Sequence, residues 1–164
     1  MPEKQTLERA RRDRRAGKAA STQAGEFVRE EIHHIREGKH GARSAKQAIA
    51  IGLSKARRAG VKLPAPPQGA SRRTKQSAAS ASRAGAHGLR KASPRRSRAV
   101  RSALKQESRS TTSSRALSKQ ATSAARKRSP KSRSAAAKKA ARTTDANYVR
   151  AEDAGSCQRV SLTR

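Results

Sequence analysis

The feature that most constrains the fold of this chain is its small supply of large apolar side chains. The chain has one Phe, one Tyr and no Trp, and its densest apolar run is KQAIAIGLSKARRAG, residues 46–60. Six further large apolar residues lie close to this run, between residues 27 and 63, and the others are scattered thinly along the rest of the chain. Because a fold must bury apolar surface to offset the loss of chain entropy, we expect order only in the part of the chain that contains this region.

The charge of the chain leads to the same expectation. Lys and Arg number 41 against 11 Asp and Glu, a formal net charge of +30. Low hydrophobicity combined with high net charge is typical of disorder. We therefore predict a mostly disordered chain with a small all-α part, consisting of a helical hairpin and a long basic low-complexity tail. The predicted divisions are a helical domain at residues 1–67, a disordered tail rich in Ser, Ala, Arg and Lys at 68–144, and a neutral tail without an assigned role at 145–164.

Local patterns in the first part predict helices at about residues 3–16, 22–37 and 45–59. Ser44 and Gln47 have the spacing of a capping box at the start of the third helix. Gly38 and Gly60 follow their helices at the position where glycine ends a helix. Gly52 forms a strip of small residues with Ala48 and Ala56, and such a strip lets a neighbouring helix approach closely. The residues predicted to pack the helices together are Phe27, Ile32, Ile35, Ile49, Gly52 and Leu53.

The basic middle segment predicts binding to a polyanion. Residues 68–144 hold 22 basic residues and one acidic residue, Glu107. Contacts to phosphates release condensed counterions and carry little sequence information. We therefore expect a histone-like protein that binds DNA, acts by neutralising phosphates and lies at the nucleoid in the cytoplasm. The predicted nucleic-acid-binding residues are Arg43, Lys46, Lys55, Arg57, Arg58, Lys62, Arg72, Arg73, Arg90, Lys91, Arg95, Arg96, Arg98, Arg126, Lys127, Arg128, Lys131, Lys138, Lys139 and Arg142.

Two alternatives stand beside DNA binding. The first is an RNA-binding or ribosome-associated protein, since charge alone does not separate DNA from RNA. The second is a protein-interaction module, in which the helices of residues 21–60 bind a partner or a second copy and the basic tail localises the protein. A membrane partner is not expected, because the longest run of apolar or Gly residues is only the six of Ala48–Leu53.

The sequence gives no reason to expect catalysis, a cofactor or a metal ion. It has no Gly-rich phosphate loop and no nucleophile motif, and Cys157 is its only cysteine. His33, His34 and His40 lie near Glu30 and Glu37 in the segment EEIHHIREGKH. This spacing lacks the Cys pair or HExxH pattern of a zinc site. We interpret the segment as a solvated helix face carrying Glu–His pairs, and predict no metal site.

Residues 46–60, preceded by the GKHGARS loop of residues 38–44, resemble an uncharacterised family of small basic bacterial and phage proteins, a domain of unknown function. The resemblance covers about residues 1–67 and implies a bacterial setting. The basic tail resembles those of bacterial histone-like proteins by composition. Its Ser-Pro-Arg-Arg segment at residues 93–96 and Ser-Pro-Lys segment at 129–131 resemble the turns of linker-histone tails. Its Arg-Ser pairs resemble arginine-serine RNA-binding tails.

Overall fold

The computed structural model describes residues 2–87, 93–138 and 140–142. These residues form helices and connecting segments, with no strand among them. None of the described helices is long and apolar enough to cross a membrane. The elements are α1 (Lys4–Arg15), α2 (Ala20–Arg36), α3 (Ala45–Arg58), α4 (Arg72–His87), α5 (Pro94–Gln106), a 3₁₀ turn (Ser110–Thr112) and α6 (Ser114–Arg126). Residues 130–138 and 140–142 are also helical.

The prediction of a mostly disordered chain with a small helical part was wrong. The segment predicted to be disordered, residues 68–144, contains α4, α5, α6 and the helical residues that follow them. Ala, Arg and Lys are among the strongest helix formers, so this composition favours helices even where it supplies little core. Serine side chains also cap the helix starts. Ser71 Oγ accepts from the N–H of Thr74 at 3.2 Å, and Ser113 Oγ from the N–H of Ala116 at 3.3 Å.

The two Ser-Pro pairs of this segment begin helices. Pro94 is the first residue of α5, and Ser93 is its N-cap residue. Helical structure also starts at Pro130, where Ser129 Oγ accepts from the N–H of Ser132 at 3.3 Å. Proline suits the first helical position because its missing N–H would have no partner there. The pairs therefore act as helix starts and not as the turns expected from the linker-histone resemblance.

The described residues fall into two compact units, one ending at Gln120 and the other beginning at Ala121. The first unit contains α1 to α5 and the 3₁₀ turn, and α6 spans the division. The expected boundary at residue 67 differs from this division because α4 packs against α3. A Cβ atom on Gly85 of α4 would overlap the carbonyl oxygen of Arg57 at the end of α3. Glycine is therefore what permits this close contact.

Residues 104–112 also belong to the first unit, through contacts with the loop after α2. The N–H of Gly41 donates to the carbonyl of Leu104 at 2.8 Å. Arg36 donates to the carbonyl of Thr112 from Nε at 3.1 Å and from a terminal nitrogen at 2.9 Å. A Cβ atom on Gly41 would overlap the carbonyl oxygen of Glu107. These contacts fix the loop of residues 37–44, which carries His40.

The core is built more from alanine than from large side chains. Phe27 of α2 is fully buried together with Ala10, Ala24 and Ala56, so α1, α2 and α3 meet around its ring. A second cluster consists of the buried side chains of Ile35, Ala42 and Ala48. Partly buried residues pack around Phe27 at the edge of the first cluster, namely Leu7, Leu53, Val61 and Leu63.

The first three helices have ends that agree with local sequence signals. Ser44 Oγ accepts from the N–H of Gln47 at 3.3 Å, and Gln47 Oε1 accepts from the N–H of Arg43 at 2.8 Å. α2 begins at Ala20 without a side-chain cap, slightly before the expected start at about residue 22. Gly38 and Gly60 have φ values of 79° and 88°, which end α2 and α3 by turning the chain back.

The small-residue strip of α3 packs directly on α2. Ala48, Gly52 and Ala56 are all buried. A Cβ atom on Gly52 would lie 2.7 Å from Val28 Cα and 2.9 Å from Val28 Cγ2. Of the predicted packing residues, Phe27 and Ile35 are buried with Gly52. The larger Ile32, Ile49 and Leu53 are half-buried at the edges of the contact.

We expect Gly52→Ala to lower the free energy of unfolding by about 1–3 kcal/mol, as overpacking of a close contact typically does. This is the net change that we expect. The overpacking must also offset the stabilisation of about 1 kcal/mol that alanine gives relative to glycine inside a helix. Gly25→Ala is the matched control, because Gly25 lies inside α2 and a Cβ atom there meets nothing within 4 Å. It should be stabilising by about 0.5–1 kcal/mol. Urea denaturation followed by circular dichroism at 222 nm measures both, and equal stabilities would contradict the close α2–α3 contact.

Candidate functional site: a buried charge cluster and an exposed cationic surface

Two adjacent carboxylates of α2 are buried against α3. The side chains of Glu30 and Glu31 are 2% and 1% exposed. Lys55 of α3 reaches both of them, with Nζ 3.2 Å from Glu30 Oε1 and 2.7 Å from Glu31 Oε2. Glu31 lies one helical turn after Phe27 and one before Ile35, so it occupies the face of α2 that forms the core. The cluster is therefore held between two packed helices.

The ammonium of Lys55 stays charged in this position. Burial lowers its pKa, but the hydrogen bond that Lys55 donates to Glu31 and the charges of Glu31 and Glu30 outweigh burial and raise the pKa above the ordinary value. A buried charge is stable only when it is paired and hydrogen-bonded. Lys55 is thus a structural cation of the cluster, which departs from its predicted role at the nucleic-acid surface.

Two histidines enclose the same carboxylates. His34 and His40 have side chains only 14% and 17% exposed. His34 Nε2 lies 2.8 Å from Glu3 Oε1, and its Nδ1 lies 4.0 Å from Glu30 Oε1. His40 Nε2 lies 3.3 Å from Glu31 Oε1, and its Nδ1 lies 3.1 Å from the carbonyl oxygen of Gly41. The two rings stand edge to face with centroids 6.4 Å apart.

The outer edge of the cluster is a set of exposed ion pairs. Glu3 accepts from His34 and from Lys39, and these hydrogen bonds lower its pKa. Lys39 also lies 3.0 Å from Glu37 Oε2, and this hydrogen bond lowers the pKa of Glu37 and raises that of Lys39. The backbone N–H of Glu3 donates to Glu30 Oε2 at 3.2 Å. The N-terminal end of α1 is therefore tied to the buried carboxylates.

The interpretation of EEIHHIREGKH as a solvated face holds for only part of the segment. The side chain of His33 is 70% exposed and pairs with Glu37 at 3.0 Å, as that interpretation expects. His34, His40 and Glu30 are enclosed instead. The sequence reasoning did not single out Glu31, although its position within the apolar spacing of α2 was a usable signal.

The predicted nucleic-acid-binding residues outside the buried cluster are mostly exposed. Arg43 is exposed but lies 3.6 Å from Glu107, and Arg57 donates to the carbonyl of Pro64 at 2.9 Å. In the first unit the exposed ones are Lys46, Arg58, Lys62, Arg72, Arg73, Arg95, Arg96 and Arg98. In the second unit they are Arg126, Lys127, Arg128, Lys131, Lys138 and Arg142. Arg90, Lys91, Lys139 and residues 145–164 lie outside the described residues.

Ion pairs are concentrated in the first three helices. Arg9 pairs with Glu26 at 2.8 Å, and Lys18 pairs with Asp13 at 2.9 Å. In the part of the chain that the structure describes, no Lys or Arg after Lys55 is ion-paired. Most of the described carboxylates thus form ion pairs within the first three helices and their loops. The Lys and Arg side chains of α4 to α6 lack carboxylate partners among the residues that the structure describes.

The fold and the cluster together define a small helical domain with an alanine-rich core and a buried Glu–Lys–His network, followed by basic helices. Residues 3–66 match the model of a family described as a family of unknown function (DUF6496). The matched region contains α1 to α3 and every residue of the network, so the chain is similar to that family over its first three helices. This confirms the resemblance to an uncharacterised domain. No curated protein and no solved structure matches the chain.

Proposed function

We propose that this protein binds duplex DNA with little sequence preference by neutralising phosphates, as a histone-like component of a bacterial nucleoid. The observation that carries this proposal is the set of exposed cations without carboxylate partners on α4 and α5. In α5, Arg98, Arg101 and Lys105 are exposed and spaced so that they share one helix face. Cations held on a helix lose less freedom on binding than cations on an unfolded chain.

The distribution of acidic residues supports the same function. Asp13, Glu30 and Glu31 are buried. The described segment after α3 contains a single carboxylate, Glu107, which pairs with Arg43. Because these carboxylates are buried, the surface of the first unit has a larger excess of positive charge than a count of its Lys, Arg, Asp and Glu residues indicates. A surface of this kind attracts polyanions over distances of about a Debye length.

Helical presentation of the cations favours duplex DNA over RNA. The major groove of B-DNA admits an α-helix, whereas the major groove of A-form RNA is deep and narrow. The sequence also lacks the aromatic residues on which single-stranded bases stack, since the whole chain has one Phe, one Tyr and no Trp. DNA is accordingly the partner that we propose, and RNA is an outcome of the test.

The test is a salt titration with the full chain and a fluorescent duplex of mixed sequence. If about ten cations meet phosphates, the logarithm of the association constant should fall against the logarithm of the KCl concentration with a slope near −9. Unrelated duplexes should differ by far less than the roughly 1,000-fold that marks specific sites. Binding that persists in 1 M KCl, or no binding at 50 mM, would contradict the proposal. Displacement by structured RNA at a lower concentration than by unlabelled duplex would replace DNA with RNA as the partner.

A further inference from the structure

We propose that Glu31, His34 and His40 bind a divalent transition-metal ion of the Zn²⁺ class. One ligand atom from each residue lies within 4.8 Å of the other two. Glu31 and His34 are three residues apart on α2, and His40 comes from the loop that Gly38 turns back over the helix. Two imidazoles and a carboxylate are a usual donor set for Zn²⁺ and for neighbouring first-row metals.

The hydrogen bonds of the two histidines leave the required nitrogen atoms free to coordinate. A carbonyl oxygen only accepts, so His40 Nδ1 donates its proton to Gly41 and Nε2 carries the lone pair in the neutral ring. Glu3 is a carboxylate acceptor, so His34 Nε2 donates and Nδ1 carries the lone pair. Both free nitrogens face the buried carboxylates. This is the arrangement in which an outer acceptor orients a metal-binding imidazole.

The distances require only side-chain movement. Two ligand atoms bound to one Zn²⁺ at about 2.0–2.1 Å in tetrahedral geometry lie about 3.3 Å apart. His40 Nε2 and Glu31 Oε1 are already 3.3 Å apart. No separation among the three ligand atoms exceeds 4.8 Å, so the wider ones must shorten by at most about 1.5 Å. A water molecule or Glu30 Oε1 would complete the coordination.

The charge of the cluster also calls for another cation. Glu30 and Glu31 bring two buried negative charges, and Lys55 supplies one positive charge. Lys55 binds Oε2 of Glu31, whereas Oε1 is the atom that faces His40. A neutral imidazole nitrogen would place its lone pair against this oxygen, so either a proton or a metal ion must lie between them. A divalent ion there satisfies both histidines and the carboxylate together.

Solvent reaches the cluster through a groove between the start of α1 and α2. The groove has a volume of about 300 Å³ and is lined by polar side chains, among them Glu3, Arg29 and His34. It gives a hydrated ion a path to His34 without separation of α2 from α3. The proposed site does not depend on nucleic-acid binding, because all of its ligands lie in the first three helices and their loop.

The test is titration of the chelator-treated full chain with Zn²⁺ in competition with a chromophoric chelator. The wild-type protein should bind one equivalent, and His34→Ala and His40→Ala should each weaken binding at least about tenfold. His33→Ala is the matched control, because His33 lies on the same helix but is 70% exposed. It should bind Zn²⁺ like the wild type. Circular dichroism at 222 nm verifies that each variant keeps its helices.

A second measurement keeps the proposal testable if a histidine variant unfolds. Co²⁺ bound to the wild-type protein through nitrogen and oxygen ligands should give the visible absorption bands of a tetrahedral site, and Zn²⁺ should abolish them. Failure of the wild type to bind one equivalent of either ion would overturn the proposal and leave a protonated imidazole in the cluster. An equal loss of affinity in His33→Ala would also overturn it, because binding would then be to surface histidines.

Discussion

Replacing Lys55 with methionine is expected to lower the free energy of unfolding by about 3–5 kcal/mol, the usual effect of removing one partner from a buried ion pair. Methionine retains most of the apolar volume, so the loss reports on charge. It leaves Glu30 and Glu31 buried side by side without the ammonium that lies 3.2 and 2.7 Å from them. Urea denaturation followed by circular dichroism, in the presence of a chelator, measures the change.

Lys46→Met is the matched control for this variant. Lys46 lies on the same helix, is exposed and has no carboxylate partner among the described residues. Its replacement should change the stability by less than about 0.5 kcal/mol. A similar effect of the two substitutions would mean that Glu30 and Glu31 are solvated or protonated and do not depend on Lys55. Adding Glu31→Gln to Lys55→Met should recover part of the loss, because it removes one of the two uncompensated charges.

The pKa of Lys55 adds a pH dependence to the same comparison. Its pKa in the folded state lies above the ordinary value of 10.5. A raised lysine pKa contributes stability that is fully present below the unfolded value and is lost as the pH rises through the folded value. The stability difference between the wild type and Lys55→Met should therefore be constant from neutral pH to about pH 10 and shrink above it. A difference that vanished below pH 9 would assign the stabilisation to another group.

The parts of the fold that the sequence predicted well are those determined by local chemistry. The observed helices α1 to α3 lie within a few residues of the expected ranges, because Ser44, Gly38 and Gly60 act on the backbone next to them. The small strip around Gly52 also has a local signature, since small residues one helical turn apart let backbones approach. What the spacing did not reveal was which side chains become fully buried. On α3, alanines and Gly52 occupy those positions, and Ile49 and Leu53 flank them.

The parts that the sequence did not predict depend on contacts between distant segments. Glu31 is buried and paired with Lys55 only when α2 and α3 pack together. His40 contacts Glu31 only when the loop after α2 folds back over the helix. The helices in the described residues of 68–87 and 93–120 were missed for a related reason. The composition criterion considers apolar surface only. α4 packs closely against α3 because Gly85 has no side chain, and residues 104–112 are held by backbone hydrogen bonds at Gly41. Neither contact requires a large apolar residue.

Replacing Arg95, Arg96 and Arg98 together with glutamine is expected to weaken duplex binding about 500-fold in 0.1 M monovalent salt, relative to the wild type. This figure assumes that all three residues meet phosphates and that the extrapolated affinity at 1 M salt is unchanged. The slope of the salt dependence should become shallower by about 2.7. The three side chains are exposed on α5, and glutamine forms helices nearly as well as arginine, so the fold should be retained. Fluorescence anisotropy over 50–500 mM KCl measures both quantities.

The control is the substitution of Lys18, Arg29 and Lys39 with glutamine, which removes the same net charge from exposed positions. Each of these cations is already ion-paired, with Asp13, Glu26 and Glu37 respectively. A cation that already has a carboxylate partner must give up that ion pair to contact a phosphate. It therefore contributes less to the release of counterions from the DNA, and this variant should keep a slope within about one unit of the wild type. Equal losses in the two variants would mean that affinity follows the net charge alone. A loss confined to the α5 variant would place the phosphate contacts on the helices whose cations the fold leaves unpaired.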